Sequence, residues 1–243
     1  MDFYVVIPAR YDSSRFPGKV LAQIGNKSML EHVFLNAKKS NAKDVYIATD
    51  SEKVYEVAKS FTENVYITST NNNNGTERIA ELAKILGWEE SVLVINLQAD
   101  MPELMADNIN FLASNSINNK GLSTLYYPLS NPNLNLDKNT VKIIIRDGVK
   151  GFCRVVNNDF DGKVYKHIGI YSYLVKDLRL YMSLPQSNNE ISLSLEQYRF
   201  LDNKLKISAY RAVSDPGTSV DSLDNLNELK GVNNWIKRKK LYY

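Results

Sequence analysis

Through the first half of the chain, short apolar runs rich in β-branched and aromatic residues alternate with segments whose apolar positions recur at helical spacing. Residues 3–7 (FYVVI), 45–50 (VYIATD), 64–69 (NVYITS) and 91–98 (SVLVINLQ) predict buried strands, and 28–39, 52–61 and 77–86 predict the helices between them. Ser28 followed three residues later by Glu31 matches a capping box, and Thr76 is expected to cap the third helix. Strand–helix alternation of this kind predicts βαβ units on a parallel sheet. The second half changes character. LSTLYYPL, TVKIIIR, GFCRVV and HIGIYSYL read as strands with no helix between them, so an antiparallel excursion is expected. Helical spacing returns at 190–201 and again from about 223 to 237.

No linker separates the halves, and no internal repeat is present. The polar stretch 131–139 reads as a loop within the excursion. The asparagine run at 71–74 reads either as a mobile loop over a ligand or as a solvated turn before the helix that starts near Gly75-Thr76.

The 243 residues, 44% hydrophobic and 23% charged, are sufficient for one large α/β domain with an ordinary core. Thirty cations against 27 anions leave a net charge of +3, much of it in the Lys237–Lys240 tail. Nucleic-acid binding is therefore not indicated. A single cysteine, Cys153, excludes an internal disulfide and a cysteine-based zinc site, and two histidines, His32 and His167, argue against a histidine-rich metal centre. No apolar run reaches membrane-spanning length, and the opening one is too short and lacks the preceding cations of a secretory signal. A cytoplasmic protein without membrane insertion is the expectation.

Three segments carry candidate chemistry. The first predicted strand runs into a loop holding Arg10, Ser13, Ser14, Arg15, Pro17-Gly18 and Lys19. Three cations at a strand's C-terminal end suit a polyphosphate, although a solvated basic turn is the bland alternative. The loop is not a Walker A motif, because position 13 is Ser where that motif needs Gly. Asp100 follows the strand ending near Gln98, and Asp221 precedes the last predicted helix, where Ser222 or Asp221 itself could serve as cap. Two carboxylates from distant segments are what Mg²⁺ uses when phosphates complete its oxygen shell.

These segments also carry a family resemblance. The pattern IPARYxSxRxPGK occupies residues 7–19, ATD residues 48–50, GT[DE]R residues 75–78 and N[VL]QGDEP, with changes, residues 96–102. HxGxYxY then occupies residues 167–173, LEQxR residues 195–199 and an altered VDTxxDL residues 220–226. In this order, over nearly the whole chain, they resemble the CMP-Kdo synthetases (3-deoxy-manno-octulosonate cytidylyltransferases) of lipopolysaccharide synthesis. The resemblance implies a single α/β domain over 1–243 with a doubly wound, mostly parallel Rossmann-like sheet. It places an antiparallel excursion over 122–173, covering the sugar site and offering a homodimer interface. It further implies that CTP and a Kdo-like sugar acid give the CMP-sugar and pyrophosphate, with Mg²⁺ on Asp100 and Asp221. Arg10, Ser13, Arg15, Lys19, Gly75, Thr76, Arg78 and Gln98 would bind the nucleotide, and Arg10, Lys19, Asp100 and Asp221 would serve catalysis. Arg154, His167, Tyr171, Glu196 and Gln197 would bind the sugar. On the residues alone, Arg154 equally suits a surface ion pair, His167 a packing role, and Glu196 and Gln197 the solvated face of a helix.

Four features depart from the family pattern. Ala99 and Met101 flank Asp100 where Gly and an acid are usual, and the loop after Phe152-Cys153-Arg154 is short and lacks a Trp. Leu193 stands where a second acid is common, and Ser222 replaces Thr. More changes fall on the sugar side than on the triphosphate side, which leaves an 8-amino analogue of Kdo or another acidic keto sugar as alternatives. A wider-family nucleotidyltransferase and a non-catalytic nucleotide-binding homologue are the competing readings; Lys19, Asp100 and Asp221 all remain, which argues against the latter.

Overall fold

The computed structural model describes residues 2–13, 16–117, 119, 121–129, 131–156 and 161–230. The chain begins with strand β1 (Phe3–Pro8), then the minor hairpin β2 (Gln23–Ile24) and β3 (Lys27–Ser28), and helix α1 (Met29–Ala37). β4 (Asp44–Thr49), α2 (Glu52–Lys59), β5 (Val65–Ile67), α3 (Gly75–Ile85), β6 (Leu93–Leu97) and α4 (Ala106–Ser116) follow in alternation. β7 (Leu122–Tyr127), β8 (Lys142–Ile145), β9 (Val149–Cys153) and the long β10 (Lys163–Leu174) come next. The chain then forms α5 (Val175–Ser183), α6 (Asn188–Leu193), α7 (Tyr198–Asp202), β11 (Ile207–Arg211) and α8 (Leu223–Lys230).

The main path of the sheet runs β11-β7-β10-β6-β1-β4-β5, with β8 on β10 and β9 on β8. β1 pairs in parallel with β4 and β6, β4 with β5, and β7 with β11. β10 alone runs against both of its neighbours in the main path, β6 and β7. The expected mostly parallel α/β sheet with an antiparallel part is thus present. Of residues 122–173, β7 and the second half of β10 lie in the central sheet, and β8, β9 and the start of β10 extend beyond it. The β8–β9 turn spans Arg146, Asp147 and Gly148, the last two at positive φ (50° and 113°).

Side-chain alternation along the strands divides the core into two layers. Phe3, Val5 and Ile7 of β1 pack with α1, α2 and α4 on one face; Val6 packs with α3, α5 and α7 on the other. A third, smaller cluster joins α8 to β2 and α1 through Leu226, Leu229, Ile24 and Met29.

Several expectations need correction. α4, α5 and β11 were not expected, and the helix predicted over 190–201 is two short helices. α6 opens with a capping box between Ser187 and Glu190 and ends at Ser194, which sits in the left-handed region (φ 52°, ψ 51°). The chain turns there, so Glu196 and Gln197 lie between the helices, not on the solvated face of one. Thr76 does not cap α3; the Asn74 side chain does, accepting the Glu77 N–H. Of the last predicted helix, residues 231–237 lie outside the described residues.

Candidate active site

β1 is the point where strand order reverses: the chain moves outward through β4 and β5, then returns to place β6 on the opposite side. Loops leaving the C-terminal ends of β1 and β6 therefore flank one crevice, the usual ligand position in open α/β sheets. The β1 loop closes at Gly18, whose φ of 70° suits glycine and where a Cβ would lie only 3.3 Å from the Tyr11 ring. That turn delivers Lys19, whose Nζ lies 2.5 Å from Asp100 Oδ2 and 3.5 Å from Asp221 Oδ1 and donates to the Val220 carbonyl at 3.3 Å. The Val220 N–H donates to the Asp100 carbonyl (2.9 Å), locking the two acidic segments together. Burial opposes the Lys19 charge, yet the two carboxylates outweigh it and hold its pKa above the ordinary value.

Asp221 is not occupied as a cap. Ser222 Oγ accepts the Asn225 N–H at 3.3 Å and performs that role. Two carboxylates therefore converge on one point, a donor set of hard oxygens that fits a divalent cation if ligand phosphates complete the shell. Among the described residues, no cluster of three or more His, Cys, Asp or Glu forms a fuller protein-only site.

A cavity of about 920 Å³ opens from this point. Arg10, Gly75, Gln98 and Asp100 line one end, and Arg10, largely exposed, donates to the Asn73 carbonyl at 3.3 Å. The asparagine run is pinned: Asn72 bonds Glu81, Asn73 bonds Glu77, and Asn74 Nδ2 donates to Tyr181 Oη (2.9 Å). Arg78 does not reach the cavity. It is fully buried, with Nη2 donating to Asp50 (2.6 Å) and Nη1 to Thr68 Oγ1 (2.6 Å), so it braces the ATD turn instead. Thr76 is buried too, its hydroxyl 3.2 Å from Tyr173 Oη and its N–H donating to Glu196 (3.2 Å). Ser13 lies off the cavity wall, and Ser14 and Arg15 fall outside the described residues.

Arg154, His167, Tyr171, Glu196 and Gln197 are brought together at the other end. Arg154 donates to the carbonyls of Leu193, Lys138 and Ser194 (3.2, 3.1 and 3.4 Å). Among the described residues no carboxylate pairs with it, so the surface-ion-pair reading fails and a held, unneutralised guanidinium faces the cavity. His167 Nε2 lies 3.0 Å from Thr124 Oγ1 beside the Phe152 ring, and burial pushes its pKa down to about 3. Tyr171 donates to Gln197 Oε1 (3.4 Å), while the buried Gln197 Nε2 has no partner. Burial raises the Glu196 pKa, opposed by hydrogen bonds from Thr76. Such an end suits an anionic, polyhydroxylated ligand: a guanidinium, a neutral imidazole and an amide donor, Gln197 Nε2, without an internal partner.

Sequence reasoning passed over three groups. Asn96 is the lone polar residue in an otherwise apolar β6, and it donates to Tyr173 Oη at 2.7 Å; a polar side chain inside such a run was the available signal. Lys166 lines the cavity and donates to the Gly217 carbonyl (3.1 Å). Beneath the site, Arg199 bridges Glu77 (2.9 Å) and Glu190 (2.6 Å). Glu77 and Arg199 are 122 residues apart, so no local pattern announces that pair.

Comparison with known proteins follows the same lines. A family model described as cytidylyltransferase matches residues 4–207. A Coxiella burnetii protein named 3-deoxy-manno-octulosonate cytidylyltransferase is 34% identical over 246 residues, covering 95% of this chain and 99% of its own length. A protein of the same name from Saccharophagus degradans is 37% identical over 226 residues, covering 85% and 89%. A solved structure of CMP:2-keto-3-deoxy-manno-octonic acid synthetase complexed with CTP superposes with a TM-score of 0.85 at 28% identity, covering 97% of this chain and 99% of that one.

Proposed function

Since the chain belongs to the cytidylyltransferase family, we propose that it transfers the cytidylyl group of CTP to the sugar acid Kdo, giving CMP-Kdo and pyrophosphate. The observation that carries this reading is the convergence of Lys19, Asp100 and Asp221 at the switch point, with an unneutralised Arg154 across the same cavity.

In this reading the triphosphate lies along Arg10 and Lys19, whose charges offset those of the substrate and of the departing pyrophosphate. Asp100 and Asp221 would hold Mg²⁺, which would supply charge neutralisation to the phosphates. Lys19 then keeps the two carboxylates in register when the ion is absent. Arg154 pairs with the sugar carboxylate, and neutral His167 contributes hydrogen bonding without adding charge. The anomeric oxygen bonds to the α-phosphorus as the bond from phosphorus to the bridging oxygen breaks; pyrophosphate leaves with that bonding pair, and the hydroxyl proton passes to solvent water. The protein forms no covalent bond; alignment of the two substrates accounts for the acceleration. A cytoplasmic homodimer feeding lipopolysaccharide synthesis completes the proposal, with light scattering as the check on the dimer. Among the described residues no helix is long and apolar enough to cross a membrane.

The test is pyrophosphate release with Mg²⁺ and CTP, offering Kdo and its 8-amino analogue in parallel, with ATP and GTP as controls. Release with CTP and Kdo alone is expected. Release only with the 8-amino sugar would shift the substrate assignment, and failure to bind CTP would overturn the reading.

A further inference from the structure

A buried hydrogen-bond chain connects the two ends of the cavity from behind. Gln98 Nε2 donates to Asn96 Oδ1 (3.0 Å), Asn96 Nδ2 donates to Tyr173 Oη (2.7 Å), and Tyr173 Oη lies 3.2 Å from Thr76 Oγ1. Thr76 gives its N–H to Glu196 Oε2 at 3.2 Å. Asn96 aside, β6 is apolar, and Asn96 and Thr76 are shielded from solvent, as is Tyr173 at 1% exposure.

The chain has a direction. Asn96 Nδ2 donates to Tyr173 Oη, so the one hydrogen of the Tyr173 hydroxyl is left for Thr76 Oγ1. Thr76 Oγ1 then accepts from the Tyr173 hydroxyl, Tyr173 Oη accepts from Asn96 Nδ2, and Asn96 Oδ1 is left to accept from Gln98 Nε2. Each link fixes the next. With its Nε2 given to Asn96 Oδ1, the amide atom that Gln98 has left for the cavity it lines is Oε1.

We infer that Tyr173 and Asn96 are positioning residues that hold the Gln98 amide with Oε1 facing the substrate, making position 98 a dedicated acceptor for an N–H or O–H donor. This deepens the function proposed above and rests on it for the identity of the ligands. The donor is either an amino group of the nucleobase or a hydroxyl of the sugar. A site built this way discriminates against an analogue that offers an acceptor there, because two facing acceptors leave both unsatisfied.

The test has an arm independent of activity and a kinetic arm. In the first, side-chain amide signals of Asn96 and Gln98 are assigned by ¹H–¹⁵N NMR in the wild-type protein and in Tyr173→Phe, which keeps the ring and removes one hydroxyl. Loss of the hydrogen-bonded Gln98 amide shift in the variant is expected; an unchanged Gln98 signal overturns the inference. Thr76→Val breaks the same chain one link earlier and should move the same signal, which covers the case of a Tyr173→Phe protein that does not fold. In the second arm, Tyr173→Phe is combined with Gln98→Met in a double-mutant cycle on kcat/KM. Tyr173→Phe should cost about 10-fold with Gln98 present and less than about 2-fold without it. The KM that rises, for CTP or for the sugar acid, names the substrate bearing the donor. Equal losses in both backgrounds would reduce Tyr173 to a packing role and overturn the inference. A wild-type protein without cytidylyltransferase activity would sink the proposed function, and the NMR arm would still decide the relay.

Discussion

Acidification should destabilise this protein through one side chain, His167. Its Nε2 lies 3.0 Å from the Thr124 hydroxyl, which itself lies 2.8 Å from the Ile170 carbonyl and donates to it. The imidazole is therefore the donor to Thr124, and its neutral Nε2–H form is the one the pocket accepts. Packed against Phe152 and Tyr171 and 8% exposed, it is held neutral by burial down to about pH 3. An unfolded histidine titrates near 6.5. Below that value the unfolded chain binds a proton that the folded one refuses, so stability is full above pH 6.5 and is lost as the pH falls towards 3. Between pH 7.5 and 5.0 the loss from this group comes to about 2 kcal/mol, a large share of the roughly 5–15 kcal/mol typical of a folded domain. The assay compares urea-unfolding free energies at the two pH values for the wild-type protein and for His167→Gln, whose Nε2 can still donate to Thr124 but does not titrate. Contributions from Glu196 and Asp177, pushed up by burial, and from Asp137, held down by its Thr140 and Asn139 hydrogen bonds, are common to both proteins and cancel. The wild-type protein should lose about 2 kcal/mol more than the variant. Equal losses would refute the reasoning and mean that the pocket tolerates the imidazolium.

Three further outcomes are expected. Asp100→Asn should fold normally yet lose turnover on the order of 100-fold or more, measured as pyrophosphate release across a Mg²⁺ titration, because it removes one of two charged oxygen donors. Arg154→Ala should raise the KM for the sugar acid by about 10- to 100-fold and leave CTP binding, read by calorimetry, unchanged. Gly217→Ala places a Cβ 2.4 Å from the Glu103 Cβ at a φ of 73°, so it should cost about 2 kcal/mol or more and lower the melting temperature by about 4–8 °C.

How much of the fold was legible depended on whether local pattern or tertiary context decided each element. β1, β4 and β6 are largely buried on both faces and announce themselves as nearly continuous apolar runs. α4 was silent because its buried residues include Asn108 and Ser116, polar side chains that dilute the apolar stripe. Asn108 is there to bond the 213–214 backbone and Ser214, partners more than 100 residues away. β11 was silent because it is an edge strand of mixed burial. The split between α6 and α7 rests on a left-handed serine, a conformation that nothing in the residue type requires.

The site shows the same division at finer grain. Arg10, Lys19 and Asp100 were readable because each follows a strong strand, and strand ends in such sheets fall together by topology. Asp221 was ambiguous from sequence, since a helix start explains an Asp as well as a metal does; the structure gives the cap to Ser222 and sets Asp221 Oδ1 3.5 Å from Lys19 Nζ. Arg78 and Thr76 show the opposite failure. Both belong to a motif that marks the nucleotide end, yet their side chains face inward, Arg78 to Asp50 and Thr76 to Tyr173. Motif membership locates a segment near the ligand, but which members touch it depends on the direction in which each side chain leaves the helix. In α3 that direction sends Thr76 and Arg78 into the protein and leaves Gly75 at the cavity wall. The second row of residues behind a site is thus where a motif carries its least visible information, and where the Tyr173 hydroxyl acts without touching either substrate.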